Sequence, residues 1–231
     1  MSKSNVKESK EAVTCKVVLI GESGVGKTSI ISRYTTNIFK DNLMATPGAN
    51  FTTKLVTFNE EKEVIKFEIW DTAGQERYRS LAKVFYKNAA ACVLVYDITN
   101  KKSFDELKNY WINEIKENSS PNVSKSFNII IIIFIVLILV GNKSDDYLNE
   151  KVTDNEGKEL AKEINAVYHR TSAKLPNESV DQVFISIGKK FLNPNSEETG
   201  HLTKEEMIQK TEKLRRDEIK NNKNANKKKC C

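Results

Sequence analysis

The apolar residues of this chain fall in short runs, and the period of those runs alternates along the sequence. Cys15-Lys16-Val17-Val18-Leu19-Ile20 is short, rich in β-branched residues and closed by Gly21. That pattern predicts a buried strand ending in a glycine loop. Residues 27–35 then predict a helix that opens directly after the loop. Residues 51–58 and 64–70 alternate as two strands, joined by a hairpin near Asn59–Lys62. Residues 90–96 form a fully apolar run before Asp97, again the mark of a buried strand. Ser103, with Glu106 three residues on, predicts a capped helix running to about Asn118. A strand over 136–140 precedes Gly141-Asn142. A helix from Thr153 to about Asn165, a short strand over 166–170 and a last helix over about 179–192 complete the pattern. Strands alternating with helices predict an α/β fold: a mostly parallel six-stranded sheet with helices on both faces.

Composition narrows the class. The 231 residues suit one α/β domain with tails. Charged residues make up 29% and hydrophobic residues 39%, which excludes collagen, a heptad rod and a polytopic membrane protein. The four cysteines include no internal CxxC pair, so a disulfide framework or zinc site is not expected and a reducing compartment is. The formal charge is +6, but residues 204–231 hold ten Lys/Arg against five Asp/Glu. Positive charge therefore belongs to the tail, which argues against a nucleic-acid-binding face and for an anionic membrane surface. No apolar leader is visible in residues 1–11, and Ser2 excludes the myristoylation pattern. The expected organisation is a flexible segment 1–12, a domain over 13–192 and a flexible tail over 193–231.

Three segments carry chemistry. Gly21-Glu22-Ser23-Gly24-Val25-Gly26-Lys27-Thr28 matches GxxxxGK[ST] between a strand and a helix. In that context glycines let backbone N–H groups converge on phosphate oxygens, and the helix N-terminus adds partial positive charge. Lys27 is placed to reach the β- and γ-phosphates, and the Thr28 hydroxyl to ligate Mg²⁺. A dinucleotide fingerprint fails, because its third glycine position holds Ser29. Asp71-Thr72-Ala73-Gly74-Gln75-Glu76 follows a strand, where Asp71 suits the Mg²⁺ shell, Gly74 permits backbone approach to the γ-phosphate, and Gln75 can orient an attacking water. Asn142-Lys143-Ser144-Asp145 follows another buried strand. A carboxylate there accepts from guanine N1–H and the 2-amino group, whereas adenine would leave it unpaired.

With these segments in place, the chain resembles a Rab family small GTPase of the Ras superfamily over about residues 13–192. Supporting stretches are WDTAGQE at 70–76, Thr171-Ser172-Ala173-Lys174, Arg77-Tyr78-Arg79-Ser80-Leu81 and Leu94-Val95-Tyr96-Asp97-Ile98-Thr99. Phe67-Glu68 and the Ala49 region look most like the early-endosomal Rab branch. The resemblance implies a P-loop NTPase fold and slow GTP hydrolysis timed by a partner's arginine. It assigns Lys27 and Gln75 to catalysis. It places Ser23, Gly24, Val25, Gly26, Lys27, Thr28, Ser29, Phe39, Thr46, Gly74, Asn142, Lys143, Asp145, Ser172, Ala173 and Lys174 around the nucleotide. Phe39 would flank the guanine, Lys143 and Lys174 would cover its faces, and the Ala173 amide would donate to O6. Mg²⁺ falls to Thr28, Thr46 and Asp71. Two switch segments, about 41–51 and 73–86, would order around GTP and be released on hydrolysis.

The resemblance further implies an exchange factor, a GAP, effectors, a GDP-dissociation inhibitor and prenylation machinery as partners of a monomer. Terminal Cys230-Cys231 behind Lys227-Lys228-Lys229 implies double geranylgeranylation, and two chains plus basic residues suffice for stable anchoring on intracellular membranes, which the branch likeness makes endosomal. Cys15 and Cys92 sit in apolar strands and read as core fillers. His169 and His201 have no partnered ligand set.

Two departures stand out. Pro47 follows Thr46 where Rabs usually have Ile; it removes an N–H and biases Thr46 towards extended backbone. The second departure is about 13 surplus residues near 124–136, leading into the unbroken apolar run Ile129–Val140. That run of 12 is below the roughly 18 residues of a membrane span and above the roughly 5–6 of a typical strand. The segment is either a true insertion or translated intron; 31 Lys against 6 Arg, with 23 Asn, fit A/T-rich coding and favour the intron. Two other functional classes stay open: a binding-only pseudo-GTPase scaffold, compromised by the insertion or Pro47, and a P-loop nucleotide kinase.

Overall fold

The computed structural model describes residues 11–41, 43–58, 63–74, 85, 88–118, 136–176 and 179–194. The elements in chain order are β1 (Val13–Ile20), α1 (Lys27–Thr36), β2 (Ala49–Phe58), β3 (Glu63–Thr72) and β4 (Ala91–Asp97). There follow α2 (Lys101–Glu106), a π-helical turn (Leu107–Trp111), α3 (Ile112–Asn118) and β5 (Val136–Asn142). A 3₁₀ turn (Tyr147–Asn149), α4 (Asp154–Glu163), β6 (Val167–Arg170) and α5 (Ser179–Leu192) complete the set.

The six strands form one sheet in the order β2-β3-β1-β4-β5-β6. Only the β2–β3 pair is antiparallel, and it is the hairpin expected from the alternating pattern. Its turn at 59–62 lies outside the described residues. β1 pairs in parallel with β3 on one side and β4 on the other, which places the phosphate-loop strand at the sheet centre.

Side chains alternate across β1, so the sheet supports two cores. Cys15, Val17 and Leu19 pack with Ile30 and Ile31 of α1 and Val180, Val183, Phe184 and Ile187 of α5. Val18 and Ile20 face the opposite layer, with Leu107, Trp111, Ile112 and Ile115, and Leu160 and Ala161 of α4. Each fully buried Leu, Ile or Phe contributes on the order of 1.5–3 kcal/mol. A double-sided core explains why β4 is buried at every residue. Parallel pairing then brings the C-terminal ends of β1, β3, β4, β5 and β6 to one edge, where ligand groups collect in such sheets.

Two local expectations change. The helix after β4 opens at Lys101, behind Asn100 as N-cap, and not at Ser103. Ser103 sits inside the first turn, and its hydroxyl donates to Asn100 O at 2.7 Å and accepts from Asp97 N at 3.1 Å. That hydroxyl closes the end of β4, so it is not available as a helix cap. A capping box does occur at α4, where Thr153 accepts from Glu156 N and the Glu156 carboxylate accepts from Thr153 N.

The strand expected at 136–140 is present and runs on through Gly141 to Asn142. The rest of the atypical segment, 124–135, lies outside the described residues, as do residues 1–10 and the tail from 195.

Candidate nucleotide-binding site

Between β1 and α1 the backbone turns through Gly21 (φ +143°), Gly24 (φ +78°) and Gly26 (φ +97°). Two of these have no alternative. A Cβ on Gly21 would stand 2.1 Å from Val95 O, and one on Gly26 would stand 2.3 Å from Asn142 Nδ2. Gly26 is the N-cap of α1 and offers no side-chain acceptor. The first-turn N–H groups are therefore left for an external anion.

Lys27 is buried, with Nζ donating to Gly21 O at 2.8 Å and Glu22 O at 2.9 Å. Burial lowers its ammonium to about 8, against the opposing pull of Asp71 and Glu22. A buried cation curled over its own loop is positioned to meet phosphate charge.

Beside it three side-chain oxygens converge from three segments. Thr28 Oγ1 lies 2.6 Å from Asp71 Oδ2 and 2.9 Å from Thr46 Oγ1, and Thr46 Oγ1 lies 3.3 Å from Asp71 Oδ2. Asp71 is buried, and its second oxygen, Oδ1, has no hydrogen-bond partner. Burial raises its carboxyl, opposed by the Thr28 hydrogen bond, Lys27 and Thr46. An orphaned carboxylate oxygen among hydroxyls is a hard-oxygen donor set that suits Mg²⁺. Among the described residues no group of three or more His, Cys, Asp or Glu side chains gathers to hold a metal. A cation here would draw its remaining ligands from water and phosphate, as Mg²⁺ commonly does.

Gly74 closes this end of the site. A Cβ there would lie 2.4 Å from Glu22 C and Ser23 N, so only glycine lets residues 73–74 rest against the phosphate loop. Ala73 N donates to Gly48 O at 2.7 Å, which ties this segment to the start of β2.

At the other end, Asn142, Lys143 and Asp145 leave β5. Asn142 is buried, donating from Nδ2 to Val25 O at 2.8 Å. Its Oδ1 accepts from Thr171 Oγ1 at 3.3 Å and from Ala173 N at 3.2 Å. Asn142 thus braces three loops, and the Ala173 amide expected at a base oxygen is engaged with it. Lys143, at φ +66°, pairs through Nζ with Asp97 Oδ2 at 2.7 Å. Asp145 Oδ1 accepts from Ser172 Oγ at 2.6 Å, which orients the carboxylate.

A cleft of about 540 Å³ joins the two ends. Its walls include Ser23, Gly24, Gly26, Lys27, Thr28, Ser29, Phe39, Thr46, Gly74, Asn142, Lys143, Asp145, Ala173 and Lys174. Val25 and Ser172, expected at the nucleotide, are buried behind the wall as supports. Gln75 and the Cys230-Cys231 pair lie outside the described residues.

Lys40, Asp41, Leu43, Met44 and Asp146 also line the cleft, and no sequence signal distinguishes them from ordinary loop residues. Nor did the sequence reading single out Trp111, whose Nε1 donates to Glu22 Oε1 at 3.3 Å from the π-helical turn. π-turns inside helices recur at functional sites, and here the last residue of the turn is the one whose indole reaches the phosphate loop.

A family model described as Ras family matches residues 16–193. The chain is 44% identical over 183 residues to Ras-related protein RabJ of Dictyostelium discoideum, covering 79% of this chain and 65% of RabJ. It is 39% identical over 176 residues to Ras-related protein Rab-22A of Homo sapiens, covering 76% of this chain and 82% of that protein. GTP-binding protein YPT53 of Saccharomyces cerevisiae is 39% identical over 188 residues, with 79% and 78% covered. With its phosphate loop, hydroxyl–carboxylate cluster and Asn-Lys-x-Asp turn on one sheet edge, the chain belongs to the Ras family, in its Rab branch, and is a GTP-binding GTP hydrolase of the kind that regulates vesicle traffic.

Proposed function

We propose that the cleft binds GTP or GDP with Mg²⁺ and that the chain works as a membrane-anchored timer in vesicle transport, on endosomal membranes. The convergence of Thr28, Thr46 and Asp71 beside the buried Lys27 carries this reading. The α1 N-terminus and Lys27 bind the β- and γ-phosphates and oppose their charge as the bond to the leaving oxygen lengthens. Thr28, Thr46 and Asp71 would hold Mg²⁺, which when bound would supply further counter-charge to the phosphates.

Gln75 orients the attacking water. Gly74 brings its own backbone against the phosphate loop, so the presence of a γ-phosphate is communicated to the segment that follows. Thr46 reports the same event to the segment before β2. Asp145, steadied by Ser172, selects guanine by accepting from two donors that adenine lacks. Phe39 flanks the base, and Lys143 and Lys174 cover its faces.

The tail, with Cys230 and Cys231 prenylated behind three lysines, provides attachment to the cytoplasmic face of the membrane. No helix among the described residues is long and apolar enough to cross one. The endosomal assignment rests on the likeness of Phe67-Glu68 and the Ala49 region to that Rab branch. Exchange factor, GAP, effectors, GDP-dissociation inhibitor and prenylation machinery are the proposed partners of a monomer. The binding-only scaffold is disfavoured by the match to the Ras family and to Rab relatives over most of the chain.

The test is to purify the unlipidated chain, denature it and quantify released nucleotide by chromatography. Near-stoichiometric guanine nucleotide without adenine nucleotide is expected. An empty protein, both as the full chain and after deletion of residues 124–136, overturns the reading. Single-turnover GTP hydrolysis then tests the timer: the rate is expected to fall in Gln75→Leu.

A further inference from the structure

Arg33 lies on α1, outside every motif that marks the site, yet its guanidinium spans the base end of the cleft. Nε donates to Ala173 O at 2.9 Å and Nη2 to Lys174 O at 2.9 Å. Nη1 donates to Asn37 O at 2.8 Å and to Asn37 Oδ1 at 3.0 Å. One planar group thereby holds both walls of the base end. One wall is the loop carrying Ser172, Ala173 and Lys174. The other is the exit of α1 towards Phe39, where Asn37 adopts a left-handed conformation (φ 56°) and returns its N–H to Arg33 O at 3.0 Å.

The loop side continues to the carboxylate that faces the base. Ser172 Oγ accepts from Lys174 N at 3.2 Å and Leu175 N at 3.1 Å, and donates to Asp145 Oδ1 at 2.6 Å. Arg33 fixes the carbonyls of residues 173–174 from one side, and Ser172 fixes the following amides from the other. The position of the Ser172 hydroxyl, and so the aim of Asp145, depends on a loop that α1 holds in place. Only a planar fork can reach two successive carbonyls and Asn37 together; an ammonium at the same place cannot reproduce that geometry.

The geometry points to Arg33 as the positioning residue that sets the cleft's preference for a purine bearing a 2-amino group, acting through Ser172 and Asp145. This rests on the guanine-nucleotide reading above. It adds that selectivity is held from the far side of α1 as well as by Asp145 itself.

The test compares release of GDP and of IDP, which differs only in lacking the 2-amino group, from the full-length unlipidated chain. Wild type, Arg33→Lys, Arg33→Ala and Ser32→Ala are loaded with each nucleotide and chased with excess GTP. Ser32→Ala serves as a control, since among the described residues its Oγ donates to the Ile38 carbonyl, at 2.9 Å, and not to the 171–174 loop. Arg33→Lys is expected to speed GDP release by about tenfold and IDP release by much less, so the GDP-over-IDP preference shrinks. Ser32→Ala is expected to leave that preference at the wild-type ratio.

A general loosening of the fold would speed both nucleotides alike, and that result overturns the proposal. So does an unchanged Arg33→Lys, or a Ser32→Ala that shrinks the preference as much. If Arg33→Ala fails to fold, Arg33→Lys, which keeps the stem and the charge, answers alone. A wild type that holds neither nucleotide, or holds GDP no better than IDP, fails the guanine reading itself and is distinguished by that.

Discussion

Asn142 Nδ2 donates to Val25 O at 2.8 Å, fastening the end of β5 to the phosphate loop in the buried wall of the cleft. The other amide atom accepts from Thr171 and Ala173, so one buried side chain closes three loops. Asn142→Ala leaves a buried acceptor and two donors unpaired, at a cost of about 1–3 kcal/mol. The expected outcome is a lower urea midpoint and faster GDP release. Chemical denaturation and a nucleotide chase measure both, and a wild-type release rate would show that the brace does not govern binding.

Gly74→Ala places a methyl group 2.4 Å from the Glu22 and Ser23 backbone. The phosphate loop is pinned by Asn142 and Lys27, so residues 73–74 are the part that must retreat. GDP binding is expected to persist while hydrolysis falls at least tenfold, since geometric misplacement of this size has large kinetic effects. Single-turnover hydrolysis with parallel GDP affinity decides it; loss of both together would contradict the separation.

Pro47 is exposed, and Thr46 next to it keeps its hydroxyl within the cation cluster. Pro47→Ile is therefore expected to leave Mg²⁺-dependent GDP retention unchanged and to alter effector affinity. Pull-down of effectors with GTP-loaded protein checks this. No change in effector binding would remove Pro47 from any role in partner choice.

His169 sits half-buried on β6, with Nε2 2.9 Å from Ser186 Oγ of α5. Burial depresses its folded pKa below the ordinary 6.5. Above pH 6.5 the ring is neutral in both folded and unfolded chains and contributes no slope. As pH falls below 6.5 the unfolded chain takes up the proton first, so stability drops until the folded pKa is reached. His169→Gln is expected to flatten the pH dependence of the unfolding free energy below pH 6.5. An unchanged slope would place the titration elsewhere.

Cys15 and Cys92 are both fully buried, and burial pushes the Cys15 thiol up to about 12 and Cys92 higher still. Neither is a thiolate at neutral pH, and neither is open to a reagent. Alkylation followed by peptide mass spectrometry is expected to leave both unmodified in the native protein and to modify both after denaturation. Native labelling at Cys92 would contradict the described packing of β4.

Much of this was legible in the residues because the controlling physics is local. The strands announce themselves by β-branched apolar runs, and the glycines of 21–26 by a turn that side chains cannot follow. The helix expected from Thr153 does begin there, where Thr153 and Glu156, three residues apart, cap each other. Ser103 and Glu106 have the same spacing and form no capping box. The Ser103 hydroxyl is claimed by Asp97 at the end of β4, a partner whose approach depends on how the chain turns after the strand.

The sequence by itself determined the alternation of elements, the phosphate loop, the carboxylate at Asp71 and the base-reading turn at 142–145, each set by neighbours a few residues away. The tertiary structure alone decided that β1 lies central, that Asn142 braces three loops, and that Arg33 reaches a loop 140 positions distant. Sheet order and the burial of two opposite faces bring those groups together. Such long-range pairings leave no period or spacing in the chain, because their partners are chosen by packing and not by sequence separation.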